Sequence, residues 1–66
     1  KNMQNMDITE IKLIIKTLKN IKYKNIDIFN YFKLQGFFTY SENIVRFNNF
    51  IIIFEDDNIL FYKIIR

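Results

Sequence analysis

Apolar residues recur along this chain with two different periods, and the change of period divides it into a helical half and a sheet half. Ile8, Ile11, Ile14, Ile15, Leu18 and Ile21 fall at helical spacing within one arc, with Lys12, Lys16 and Lys19 beside it. Asp7, three residues ahead of Glu10, supplies an N-cap with its capping-box partner, so a first helix is predicted over 8–21. A second helix is predicted over 26–35, with Asn25 as its N-cap and Ile28, Phe29 and Phe32 as its buried side. Gly36, the chain's single glycine, stands where a left-handed residue would end that helix and fold Phe37 back on Phe32. Lys22 to Lys24 links the two as an αα-hairpin, and residues 1–6 read as a loose lead-in.

Beyond Gly36 the pattern becomes that of strands. The segment "FFTYSE", 37–42, is open: a loop, or a first strand turning at Ser41-Glu42. Asn48-Asn49 suits a two-residue hairpin turn with positive φ at both positions, pairing Phe47 with Phe50 and Val45 with Ile52. Asp56-Asp57-Asn58 suits a three-residue loop with Asn58 left-handed, pairing Glu55 with Ile59, Phe54 with Leu60 and Ile52 with Tyr62. The expected fold is therefore α+β, a single domain over 1–66. Two N-terminal helices (7–36) pack on one face of a three- or four-stranded antiparallel meander (37–66).

Side chains alternate across a strand, so these registers sort the residues by face. Val45, Phe47, Phe50, Ile52, Phe54, Leu60, Tyr62 and Ile64 share the face that the helices cover. The other face carries Ile44, Ile51, Ile53, Ile59, Phe61 and Ile65, with Arg46, Glu55 and Lys63 among them. Two readings of that second oily face stand side by side. A protein partner or a second copy buries it, as its size suggests. Otherwise codon bias has put Ile where Thr or Val would ordinarily sit.

Composition bears on that choice. Ile, Asn, Lys, Phe and Tyr fill 43 of the 66 positions while Ala and Pro are absent, which points to an AT-rich genome. Such a bias inflates Lys, so the net charge of +3 leans only mildly toward an anionic partner. A chain this short buries roughly 60% of its unfolded surface and has no cysteine to staple it, so docking or oligomerisation is an expected source of stability. No stretch approaches the roughly 20 apolar residues of a membrane span, and no apolar segment follows Lys1–Asp7 as in a signal peptide. An intracellular setting, cytoplasmic or organellar, is the expectation.

The chemical inventory is thin. Without His or Cys, the commonest general base and the strongest protein nucleophile are missing, and Ser41, the single serine, reads as a turn residue. Glu55-Asp56-Asp57 also reads as turn chemistry rather than a cation site, and one glycine cannot build a phosphate loop. No cofactor, metal or small-molecule substrate is expected. Lys12, Lys16 and Lys19 form a stripe along which a phosphate backbone could run, and Arg46 and Arg66 are the chain's two arginines.

From Leu34 onward, "LQG", "IVRF" and "NNFIIIFEDDNILFYKIIR" resemble the second half of RelE-type toxins. That family has a helix ending near L-x-G, an Arg-bearing strand, a hairpin with an acidic turn and a closing strand ending in a basic residue. The resemblance covers about half the chain and implies messenger RNA cleavage on the ribosome, with Arg46 and Arg66 in the working roles and Lys63 as helper. The family's opening strand before the helices has no counterpart here, and Ile51 stands where an Arg is usual. A looser likeness joins "IFNYFKLQGFF" to ribosomal-protein and winged-helix modules, with Phe32 in place of the usual Leu.

The first functional expectation is a small non-enzymatic assembly module, a subunit of a protein or ribonucleoprotein complex. It would dock through Ile44, Arg46, Ile51, Ile53, Phe61, Lys63 and Ile65. The second is a nucleic-acid- or ribosome-acting protein using Lys12, Lys16, Lys19, Arg46 and Arg66, the RelE-like nuclease being its enzymatic form.

Overall fold

The computed structural model describes residues 6–65, so the rest of the expected lead-in and Arg66 lie outside the described residues. Two helices come first, α1 (Ile8–Asn20) and α2 (Asn25–Leu34). Four strands follow, β1 (Phe38–Ser41), β2 (Ile44–Phe47), β3 (Phe50–Phe54) and β4 (Ile59–Lys63). The strands form one open antiparallel sheet in the order β1-β2-β3-β4, with both helices on the same side. The fold is the expected α+β meander, and "FFTYSE" resolves in favour of a strand, turning at Glu42-Asn43.

Both helices end in the way their local chemistry dictates. At the start of α1 the Asp7 carboxylate accepts from the Glu10 N–H at 3.0 Å, and the Glu10 carboxylate accepts from the Asp7 N–H at 3.1 Å. This capping box satisfies two donors that the helix leaves without an internal acceptor. Gly36 ends α2 at φ 95°, with its N–H on the Lys33 carbonyl and the Phe37 N–H on the Phe32 carbonyl. That is a Schellman motif, and its apolar clasp is the Phe32–Phe37 ring contact at 5.1 Å. α1 ends in the same motif, the Lys22 N–H on Lys19 and the Tyr23 N–H on Leu18, but Lys22 fills the left-handed position at φ 74°.

The N-cap of α2 is Lys24, not Asn25. Asn25 is the first helical residue, buried at 6% exposure, and its side chain serves the sheet. The amide nitrogen donates to the carbonyls of Glu55, Asp56 and Asn58, and the amide oxygen accepts from Lys19 Nζ at 2.9 Å. One side chain on α2 thus holds three carbonyls of the β3–β4 loop.

The β2–β3 hairpin has the expected register, Phe47 opposite Phe50 and Val45 opposite Ile52. Asn48 is left-handed at φ 52°, whereas Asn49 keeps a negative φ. One left-handed residue in the first turn position is the II′ pattern, so the expected pair of positive angles reduces to one.

The β3–β4 hairpin is offset by one residue from expectation. Phe54 opposes Ile59 and Ile52 opposes Phe61 across a four-residue loop closed by the Glu55 N–H on the Asn58 carbonyl at 2.8 Å. Asn58 is not left-handed. The loop is set by Asn25 from the helical layer, a contact invisible to local turn chemistry. Because side chains alternate, the slip moves every β4 residue to the opposite face.

The core lies between the layers: Ile11 and Ile15 of α1; Ile28, Phe29 and Phe32 of α2; Phe37; and Val45, Phe47, Ile52 and Phe54 of the sheet. Phe37 stacks on Phe47 at 5.4 Å, and Phe29 meets Phe54 edge-on at 6.0 Å. Such contacts add to the transfer of aromatic surface from water. The shortest molecular extent is 19 Å, about one sheet plus one helix, so no described element forms a third layer over the sheet's outer side.

Candidate docking surface

Register places two rows of side chains on the face away from the helices. Phe38, Arg46, Ile51 and Tyr62 lie across the four strands in one row. Ile44, Ile53 and Leu60 lie in the next, with Ser41 at its β1 end. Tyr40 joins them past the β1 bulge between Thr39 and Ser41, its ring 5.1 Å from that of Phe38. Phe38, Tyr40 and Tyr62 stay 63%, 49% and 54% exposed, while the isoleucines and Leu60 shade one another to partial burial.

Arg46 is the charged member of these rows, and it is held flat. Its Nε donates to the Asn48 carbonyl at 2.9 Å and a terminal nitrogen donates to the Tyr40 hydroxyl at 3.2 Å. Those bonds draw the guanidinium toward the turn and the β1 edge. The centre of the face, Ile44, Ile51, Ile53 and Leu60, stays uninterrupted apolar surface.

Of the residues expected on this surface, Ile44, Arg46, Ile51 and Ile53 lie there. The β4 members need correction. Phe61 and Ile59 sit on the helix side, packed against the core, and Lys63 opposes Phe50 on that side too. Ile65 lies past the end of β4, 87% exposed. Conversely, Leu60 and Tyr62, expected on the helix-covered face, face outward. Phe38 and Tyr40 also face outward; in sequence the segment 37–42 is open between loop and strand, which assigns neither of them a face.

The expected nucleic-acid set splits. Lys12, Lys16 and Lys19 line an open groove of about 500 Å³ between α1 and β4, and Lys12 Nζ sits 5.0 Å from the centre of the Phe61 ring. Arg46 lies across the sheet from them, and Arg66 is outside the described residues.

The turn residues behave structurally. Ser41 Oγ donates to the Asn43 side-chain oxygen at 2.9 Å, joining β1 to β2. Glu55, Asp56 and Asp57 sit in the loop that Asn25 holds, and among the described residues no cluster of acidic, His or Cys side chains could hold a metal ion. No described helix is long and apolar enough to cross a membrane. The chain matches no family model, no curated protein and no solved structure with which it was compared.

Proposed function

We propose that this protein is a non-enzymatic assembly module, acting inside the cell, that docks onto a larger protein or ribonucleoprotein through the outer face of its sheet. What supports the reading is one observation: Ile44, Ile51, Ile53 and Leu60 form a contiguous apolar centre, ringed by Phe38, Tyr40, Tyr62 and a tethered Arg46. Aromatic and Arg residues around an apolar centre are what protein interfaces favour. A contiguous apolar patch rimmed by polar groups is also what marks interaction sites on small domains.

The test places photoreactive benzoylphenylalanine at position 62 and, as control, at position 34, where Leu34 lies exposed at the end of α2. Expressed in the native source, the position-62 protein should cross-link to one discrete protein and the position-34 protein should not. Cross-links from 34 alone, or equal ones from both, overturn the reading. With purified protein, Ile51→Lys with Ile53→Lys should raise the solubility limit while leaving the circular dichroism unchanged.

A second reading rests on the Tyr40–Arg46 contact, which sets a phenol and a guanidinium together on an open face. RelE-type toxins act with Lys, Arg and Tyr, so ribosome-dependent RNA cleavage is the enzymatic alternative. Expression of the wild type should then arrest growth and Arg46→Ala should relieve the arrest. Unimpaired growth on wild-type expression removes this reading.

A further inference from the structure

The two edges of the sheet differ. β1 is four residues long, and its pairing is broken by a bulge, both of which discourage a further strand. β4 is five residues long, regularly paired along its length, and carries a charge only at its last position, Lys63. Its inner hydrogen bonds can be assigned by alternation. The Glu55 N–H bonds the Asn58 carbonyl and the Ile64 N–H bonds the Asn49 carbonyl, so even-numbered residues of β4 face β3. The N–H and C=O groups of Ile59, Phe61 and Lys63 therefore point outward along an edge that no described strand pairs.

Directly beside that edge lies the groove under α1. Ile15, Ile59 and Phe61 form its apolar floor, and Lys12, Lys16 and Lys19 its rim, with Asp57 at one end. From these two features we infer a peptide site: an extended acidic segment of a partner protein adds to β4 as a fifth strand and turns its carboxylates toward the α1 lysines. A strand added at about 4.8 Å from β4 would lie at the mouth of the groove. Its alternate residues repeat at about 6.7 Å, and Lys12 and Lys16 are about 6 Å apart along their helix. A run with acids at every second position can thus meet successive ammonium groups, while main-chain bonds to the edge supply affinity independent of sequence. A second copy of this chain fits less well, because pairing β4 with β4 would bring two lysine stripes together. The backbone edge also favours a peptide over a nucleic-acid strand, which has no ladder of amides to offer it. This site is separate from the outer face and does not depend on it.

The probe is a fluorescein-labelled eight-residue peptide of alternating valine and glutamate, followed by anisotropy. Binding is expected, weakening as salt rises. Lys12→Glu with Lys16→Glu should lower affinity at least tenfold. So should an N-methyl group on Phe61, introduced by chemical synthesis, which removes an outward donor and keeps the ring. Ile51→Lys with Ile53→Lys, on the outer face, should leave peptide affinity unchanged. No binding of the peptide overturns the inference, as does binding that N-methylation leaves untouched. If oligouridylate binds instead, and the lysine variants abolish that binding while N-methylated protein retains it, the stripe is a phosphate track and the peptide site is wrong.

Discussion

The two hairpins of this sheet share β3, yet they are specified from different distances. Asn48-Asn49 carries its own instruction: a left-handed Asn in a two-residue turn closes Phe47 against Phe50, and the Arg46 side chain and the Ile64 N–H then bond carbonyls of a turn whose register is already set locally. The β3–β4 loop lacks a left-handed residue and takes its shape from Asn25, some thirty positions earlier, whose amide gathers the carbonyls of Glu55, Asp56 and Asn58. Equal turn propensity in two places therefore does not mean equal determination. The hairpin that looked as well marked in sequence is the one governed by tertiary contact.

The largest test of this contrast removes the remote constraint. Asn25→Leu keeps a buried side chain of similar size but offers the loop no donor. It should cost about 1–3 kcal/mol, the range for leaving polar groups without partners, tempered by water reaching an exposed loop. For a domain of this size that is a fall of roughly 5–20 °C in Tm. Hydrogen exchange should show the loss of protection confined to β4, with β2–β3 amides nearly unaffected. Uniform loss across the sheet would mean Asn25 supports the core generally, and the contrast between hairpins would disappear.

The local hairpin should fail for a local reason. Asn48→Val puts a β-branched residue at φ 52°, where the clash of Cβ with the backbone costs about 1–2 kcal/mol. Asn48→Gly should stay within a few tenths of a kcal/mol of wild type, or exceed it, because glycine carries no such penalty. Chemical denaturation of the pair separates them. If both variants destabilise equally, the Asn48 side chain contributes something beyond its backbone angle.

What could be read from the residues alone follows the same division. The capping box at Asp7–Glu10, the Gly36 ending with its Phe32–Phe37 clasp, and the β2–β3 register all rest on contacts within five residues, and each was legible. The β4 register was not, and hydrophobic pattern could not rescue it. Ile59 and Phe61 point one way and Leu60 and Tyr62 the other, so either register buries two large apolar side chains and exposes two. This also explains why a candidate surface on the outer face outlasts the correction while its β4 members change from Phe61 and Lys63 to Leu60 and Tyr62. Ile44, Arg46, Ile51 and Ile53 depend only on the hairpin that reads locally. Asn25 itself was misjudged because a cap residue and a loop-holding residue look alike in sequence.

A smaller effect extends the comparison to the helix ends. Both helices stop in a Schellman turn, one with Gly36 and the other with Lys22 at φ 74°. Lys22→Gly should relieve the left-handed strain and raise stability by about 0.5–1 kcal/mol, after the extra flexibility of glycine in the unfolded chain is subtracted. Thermal melts of the single variant suffice. No gain would mean that the Lys22 side chain makes compensating contacts.

The smallest expected effect is the most discriminating. Asn58→Gly supplies the left-handed residue that a three-residue loop would need, and so favours the register in which Ile52 faces Tyr62. With Asn25 in place the change should shift stability by only a few tenths of a kcal/mol, and cross-strand NOEs should still join Ile52 to Phe61. Combined with Asn25→Ala, the same glycine should let β4 slide, since both registers bury comparable apolar surface and the loop is no longer held. NOEs from Ile52 to Tyr62 in the double variant, absent from each single one, would show that a lone amide on α2 decides which side of β4 meets the core. If the wild-type register persists even then, the choice lies in packing: Phe61 beneath Lys12 and Ile59 against the core would outweigh the loop.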